Sequence, residues 1–353
     1  MHADEKDDYW TLQSSPLQKQ LEPLLKTEAI DGVEPLGNQF AIDSKESVPE
    51  LLKQPLFGQP ALTSSELGRA RSAPTVLGPL NTYALLDAAR LPFILTELLE
   101  ASGLTSQSLF DGKAQEEMGE QAPYLVQLEE ANSFTRKLFT DGSGMNGLWG
   151  LGLGIFLRSR SSFASVRKHM RKMTRVQIEK DNTWNYFRFW EPKMVPYFLR
   201  GTDVANQEAF LGFDLELHTI DHAGTWLRMY LVGEPRLTPP ARIIIKDRDK
   251  TSFQRYGRRQ YVHDLKDWLY DSFGNPSKIE DTERFLRREI RAAHKGFRTT
   301  DKRIIAHCVA ASWLLGESAM TTKRVKTSDV LVNARGAKQL YDRAYKYRYM
   351  VED

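Results

Sequence analysis

With 353 residues, 41% of them hydrophobic and 27% charged, the chain is too long for one ordinary core and too apolar for global disorder, so two domains with appendages are expected. Its 49 basic and 46 acidic residues nearly cancel, and the resulting +3 demands neither nucleic acid nor a membrane surface as partner. The one cysteine, Cys308, excludes an intramolecular disulfide framework and any Cys-rich metal cluster; within an apolar helical pattern it reads as small buried filler.

The first eight residues are acidic and lack an apolar signal-peptide core, and the most apolar run, 148–157, is half a membrane span cut by glycines. A soluble, cytoplasmic protein is the expectation. Residues 1–75 form a partly irregular extension. Leu17, Leu21, Leu24 and Leu25 have helical spacing, but Pro23 interrupts it, and residues 32–74 are rich in Pro, Gly, Ser and Gln. Such a segment lies across a folded body or becomes ordered on a partner.

From about residue 76 strands and helices alternate. Residues 83–87 read as a buried strand. Leu91, Ile94, Leu95, Leu98 and Leu99 share one face of a helix that Gly103 ends. Residues 109–110 and 124–128 read as strands, 134–139 as a short helix and 154–157 as a strand. Phe163, Val166, Met170 and Met173 line one side of a further helix. Leu211, Phe213, Leu215 and Leu217 then alternate as one hairpin arm, Asp221 to Gly224 supply the turn, and 226–232 return. This pattern predicts an α/β fold for 76–235, a mixed sheet flanked by helices.

After a joint at Pro239-Pro240 and a short strand at 243–245, the chain reads as a helical C-terminal module, 236–353. Tyr261, Val262, Leu265, Trp268, Leu269 and Phe273 make one amphipathic face, ended by Gly274. Phe285, Leu286, Ile290, Ala293 and Phe297 make a second. Ile304, Ile305, Cys308, Val309 and Trp313 make a third, and residues 328–349 a fourth helix.

The organising stretch is 184–199. Tyr186, Phe187, Phe189 and Trp190 around Arg188 suit a largely buried strand. Pro192 suits a first helical position, which places Glu191 at the cap. Met194, Val195, Phe198 and Leu199 follow at helical spacing. Arg188 among aromatics either reaches solvent, the commoner outcome, or meets a buried anion.

Candidate chemistry is sparse. Gly142-Ser-Gly144-Met-Asn-Gly147 has the letters of a dinucleotide fingerprint but no preceding apolar strand and no acid before Glu179, so a loop is the better reading. Asp214, Glu216, His218 and His222 share parity on a strand, as either a metal set or a solvated face would. Arg158, Arg160, Arg167, Lys168, Arg171, Lys172 and Arg175 form an acid-free basic tract, read as a solvated face or one meeting acidic protein. No nucleic-acid motif accompanies it. An enzyme with an unrecognised site and a nucleic-acid binder using residues 158–175 stay open as alternatives.

Four segments in order, Tyr83-Ala-Leu-Leu-Asp-Ala-Ala89, Leu109-Phe-Asp-Gly112, Ala122-Pro-Tyr-Leu-Val126 and Phe187-Arg-Phe-Trp-Glu-Pro-Lys193, carry a family likeness. Over about 76–235 the chain resembles the effector adaptor (effector-chaperone) domain of bacterial type VI secretion, the DUF4123-type adaptor. It departs from that pattern at Ala88-Ala89, where Gly-Ala is commoner, and at Trp190-Glu-Pro-Lys193, where Tyr-Asp-Pro-Arg is commoner. The resemblance implies a non-enzymatic role without cofactor: binding a toxic effector, often by its N-terminal part, and helping load it onto the VgrG spike protein. Trp149, Arg188, Trp190, Glu191 and Pro192 are the candidate partner contacts, since aromatics and arginine dominate binding hot spots. No residue is assigned to catalysis or to a metal.

Overall fold

The computed structural model describes residues 25–37, 39, 45–62, 78–142, 146–212, 215–233, 242–275, 279–323, 325, 330 and 332–349. Leu17, Leu21 and Leu24, the centre of the 142–147 glycine run, Phe213, Asp214, the Pro239-Pro240 joint and Ser328 lie outside them. The chain divides into two compact units, Met1–Phe253 and Gln254–Asp353.

In the first unit the order is β1 (Leu25–Ile30), α1 (Glu50–Phe57), β2 (Asn81–Asp87), α2 (Ile94–Ser102), β3 (Ser106–Ser108), α3 (Lys113–Met118) and β4 (Pro123–Leu128). Then come α4 (Ser133–Phe139), β5 (Gly154–Ser159), α5 (Phe163–Met173), β6 (Arg175–Ile178), β7 (Trp184–Tyr186), α6 (Val195–Gly201) and α7 (Val204–Leu211). β8 (Glu216–Ile220), β9 (Trp226–Leu231) and β10 (Ile244–Ile245) follow, and α8 (Asp247–Phe273) carries the chain onward.

The α/β class expected from the sequence is observed, with two sheets. Seven strands pair in the order β1-β9-β8-β5-β2-β4-β3, each neighbour antiparallel. A second sheet runs β10-β6-β7, with β10 parallel to β6. β2 is central because its residues are apolar on both faces, and Thr82 through Asp87 are all buried. β5 approaches it so closely that a Cβ on Gly154 would fall 1.8 Å from the Leu85 carbonyl oxygen, so glycine is required there. Leu95 and Leu99 of α2 face the core, and Gly103 ends that helix at φ +69°. Ser162 caps α5, whose Val166, Met170 and Met173 are buried.

Within the N-terminal 75 residues, β1 joins the large sheet as an edge strand, and α1 buries Leu52 and Leu56 completely in the core that holds Leu86, Leu95, Phe139 and Trp226. The strand expected at 109–110 lies at 106–108 instead, and Leu211 ends a helix instead of opening the hairpin arm.

The second unit is helical: the end of α8, α9 (Thr282–Phe297), α10 (Lys302–Leu315) and α11 (Ala334–Tyr349). Asp281 and Asp301 cap α9 and α10, accepting from the N–H groups of Arg284 and Arg303. The predicted apolar faces meet in one core containing Leu269, Leu286, Ile290, Val309, Trp313 and Leu340, with Cys308 buried among them. That core also holds a carboxylate: buried Glu289 accepts from the Ser312 hydroxyl at 2.9 Å and the Ser318 hydroxyl at 2.7 Å.

Candidate partner-binding corner

The aromatic stretch after β7 is built differently from its sequence reading. The strand ends at Tyr186, and Phe187 closes it by donating its N–H to the Thr174 carbonyl at 2.8 Å. Phe187, Phe189 and Trp190 then turn inward as a buried cluster outside any strand. Phe187 meets Phe198 with ring centroids 5.0 Å apart, and Phe189 meets Phe210 edge-on at 5.2 Å. Trp190 packs on Tyr186 and Phe189.

Glu191 and Pro192 form a turn, not a helix start. The Glu191 carbonyl accepts from the N–H groups of Met194 and Val195 at 3.1 and 3.2 Å, and α6 begins three residues after Pro192, with Pro196 in its first turn. The Pro192 carbonyl accepts from the Thr219 hydroxyl at 2.8 Å, which fixes the turn on β8. The Glu191 carboxylate pairs with Arg90 and so is not free to cap α6.

Two ion pairs join this turn to the end of β2. Arg188 Nη2 lies 2.5 Å from Asp87 Oδ2, and Asp87 Oδ1 accepts from the Ala89 N–H at 3.1 Å. Arg90, three residues beyond Asp87, binds Glu191 and donates to the Leu151 carbonyl at 3.3 Å. The side chain of Asp87 is 3% exposed and that of Arg188 55%, so Arg188 both meets a buried anion and reaches solvent.

The five candidate contacts therefore separate. Arg188 is exposed and Glu191 half-buried, each held in one of the two ion pairs. Trp190 and Pro192 are buried and present no contact surface. Trp149 is half-buried and stacks on buried Trp226, centroids 6.0 Å apart, a neighbour of the core more than of a partner. Asp87 and Arg90 were not singled out from the sequence. The acid closing an apolar strand just before Ala88-Ala89 was the one visible sign of the first.

The basic tract is largely consumed inside the chain. Arg158 is buried, donating to the carbonyls of Pro55, Gly58 and Leu80 at 2.9, 2.6 and 3.1 Å. Burial pulls its pKa down to about 10, so it stays charged at neutral pH. Arg160 donates to the carbonyls of Gly78 and Pro60, while Arg167 and Arg171 share Asp111. Lys168, Lys172 and Arg175 are exposed. Gly147 is required by space, because a Cβ there would lie 2.4 Å from the Thr140 carbonyl oxygen.

Of the even-numbered set, Asp214 lies outside the described residues, and Glu216, His218 and His222 do not come together as a metal set. Glu216 forms a forked pair with Arg228, at 2.7 and 2.9 Å, and His218 is fully buried. Trp226 Nε1–H donates to His218 Nδ1 at 3.2 Å, so the neutral ring carries its proton on Nε2, 3.7 Å from Glu216 Oε2. Among the described residues no group of three or more His, Cys, Asp or Glu is placed to hold a metal.

The pair sets an acid sensitivity. Burial lowers the His218 pKa below 6.5 and outweighs the nearby carboxylate. For Glu216, burial pushes upward, but His218 and Arg228 win and hold the carboxyl at about 2. The buried ring resists a proton that the unfolded ring accepts, so its contribution is full above about pH 6.5 and lost as pH falls below it. The contribution of Glu216 is present above its ordinary 4.5 and lost as pH falls toward 2. We expect melting temperature to fall by roughly 5 °C between pH 7 and pH 5, and His218→Gln to flatten that interval while leaving the steeper decline below 4.5. A flat wild-type profile from pH 7 to 5 would rule out this role for His218.

The DUF4123 domain model matches residues 82–209. Its description is a domain of unknown function, and the match covers rather more than a third of the chain. The matched segment holds Asp87, Arg90, Trp149 and the whole 187–194 turn, with both of the ion pairs described above. No curated protein and no solved structure matches the chain. No helix among the described residues is long and apolar enough to cross a membrane.

Proposed function

We propose that the chain is a non-enzymatic adaptor that binds an effector of a type VI secretion system in the cytoplasm and helps load it onto the VgrG spike protein. The observation that carries this reading is the match of residues 82–209 to the DUF4123 domain, the family whose segments the sequence resembles in order. Two further features support it. Arg188, exposed, and Glu191, half-buried, are each held by an ion pair to Asp87 or Arg90, as a positioned recognition element needs to be. The 158–175 arginines, largely engaged by carbonyls and Asp111, offer nucleic acid little.

An adaptor acts through one cargo. Deleting it is expected to abolish export of one particular effector, and to lower its accumulation, while other effectors of the same cell are still fired. A partner that binds only the folded cargo stabilises it by about 2.7 kcal/mol at a hundredfold excess over Kd, enough to decide the abundance of a marginal toxin. Secreted and cellular effectors quantified in deletion and complemented strains provide the test. Unchanged export of every effector, or loss of all of them together, would refute the reading.

A further inference from the structure

A strand edge is a row of unpaired N–H and C=O groups, and folded proteins cover or charge such rows. Among its described residues the first unit has four edges, β1 and β3 on the large sheet and β10 and β7 on the small one. Three are guarded. β1 carries the Lys26–Glu28 ion pair at 3.0 Å. On β3 the Ser108 carbonyl accepts from Arg167 Nε at 2.7 Å. On β10, Asn206 clasps Ile244: its Oδ1 accepts the Ile244 N–H at 2.9 Å, and its Nδ2 donates to the Ile244 carbonyl at 2.8 Å.

Among the described residues nothing clasps the outward backbone groups of β7 and the strand carries no ion pair of its own, and its register fixes which groups are open. Ile178 donates its N–H to the Thr183 carbonyl at 2.9 Å, and Phe187 donates to Thr174. Antiparallel pairing alternates, so Asn185, opposite Val176, also turns its backbone toward β6. Trp184 and Tyr186 therefore direct their N–H and C=O groups to the open side. All three β7 residues are exposed, Trp184 and Tyr186 each by 52%. Their side chains share one face of the strand, two residues apart. Cations surround them: Arg242 lies over the Trp184 ring at 5.9 Å, Arg175 stands opposite Tyr186, and half-exposed Arg188 follows.

We infer that the open edge of β7 is a strand-addition site whose occupant is an extended segment of a protein partner with acidic and apolar side chains in alternation. Two outward N–H groups and two outward carbonyls match one added strand, whose backbone supplies affinity while alternate side chains supply specificity. On the face that carries Trp184 and Tyr186, Arg175, Arg188 and Arg242 select the acids, whose stems lie along the rings, and the alternate apolar side chains fall on the face of Asn185 and Val176. A second copy of this chain is the wrong occupant, because it would bring the same three arginines to the edge. The inference rests on the adaptor reading only in naming the partner as cargo.

The probe is a labelled ten-residue peptide of alternating glutamate and valine, with a lysine–valine peptide of the same length as control. Binding to the full chain is read by fluorescence anisotropy. The acidic peptide is expected to bind at least about tenfold tighter than the basic one, and Trp184→Pro, which removes an outward N–H but no bond to β6, to weaken it by about tenfold. Trp184→Phe keeps both N–H and ring and should stay within about threefold. Amide exchange on the unaltered protein gives a reading independent of any variant: the Trp184 and Tyr186 amides slow on binding while that of Asn185 does not change. Absence of acidic-peptide binding, equal affinity for the two peptides, unchanged Trp184 and Tyr186 exchange, or a free chain already dimeric through this edge would overturn the inference. Each leaves effector export in the deletion strain unaffected as a test of the adaptor reading.

Discussion

Replacing Arg158 by alanine is expected to destabilise the first unit by about 3–5 kcal/mol, lowering its melting temperature by roughly 10 °C. The guanidinium reaches the carbonyls of Pro55 and Gly58 at the C-terminal end of α1, where the helix dipole is negative, and the Leu80 carbonyl just ahead of β2. Removing it strands the Pro55 and Gly58 acceptors in a water-poor site, at about 1–3 kcal/mol for each, while Leu80 keeps the Gln59 side-chain amide at 2.9 Å. Arg158→Lys should recover only part, because an ammonium cannot fork toward three oxygens as a planar guanidinium does. Chemical denaturation of the three proteins checks this. A loss below about 1 kcal/mol for the alanine variant would show that water replaces the side chain there.

The second large effect belongs to the corner. Arg188→Ala strips Asp87, buried at the end of β2, of its counter-charge and leaves it one backbone N–H donor. We expect a loss of about 2–3 kcal/mol, at the lower margin for a broken buried pair because Arg188 is itself half in water. Adding Asp87→Asn to that variant should restore about 1 kcal/mol, since the stranded charge is then gone. The double-mutant cycle, measured by urea unfolding, decides the matter: strictly additive single effects would mean that the pair is not coupled in solution.

What could be read from the sequence follows the range of the forces involved. Helix α2 was legible because Leu95, Leu99 and Gly103 carry its face and its stop within one window. The core strands β2 and β4 were legible as short apolar runs. The corner was not, because Pro192 reads as a helix start, whereas the turn it forms is held by Arg90 and Thr219, both remote in sequence. The basic tract misled for the same reason. Nothing near Arg158 in the chain announces that the carbonyls of residues 55, 58 and 80 surround it. β1 escaped notice because an edge strand with Lys26 and Glu28 has no apolar alternation to display. On the hairpin arm, parity correctly placed Glu216 and His218 on one side, but the depth of burial that separates them is a property of the packed sheet.

The sheet order also separates the matched span from the span that folds. The DUF4123 match ends at residue 209, and within 82–209 lie only β2, β3, β4 and β5 of the seven-stranded sheet. β8, β9 and β1 arrive from beyond both limits, as do Leu52, Leu56 and Trp226 of its core. A fragment trimmed to the matched limits would be a half-sheet, its cut face running along Phe156, Leu157 and Arg158 where His218, Leu217 and Glu216 should pair. Such a raw edge invites its own kind, so the fragment would pair with other fragments. For this protein, the stretch outlined by the DUF4123 match is part of a larger body, and experiments on that stretch need the body with it.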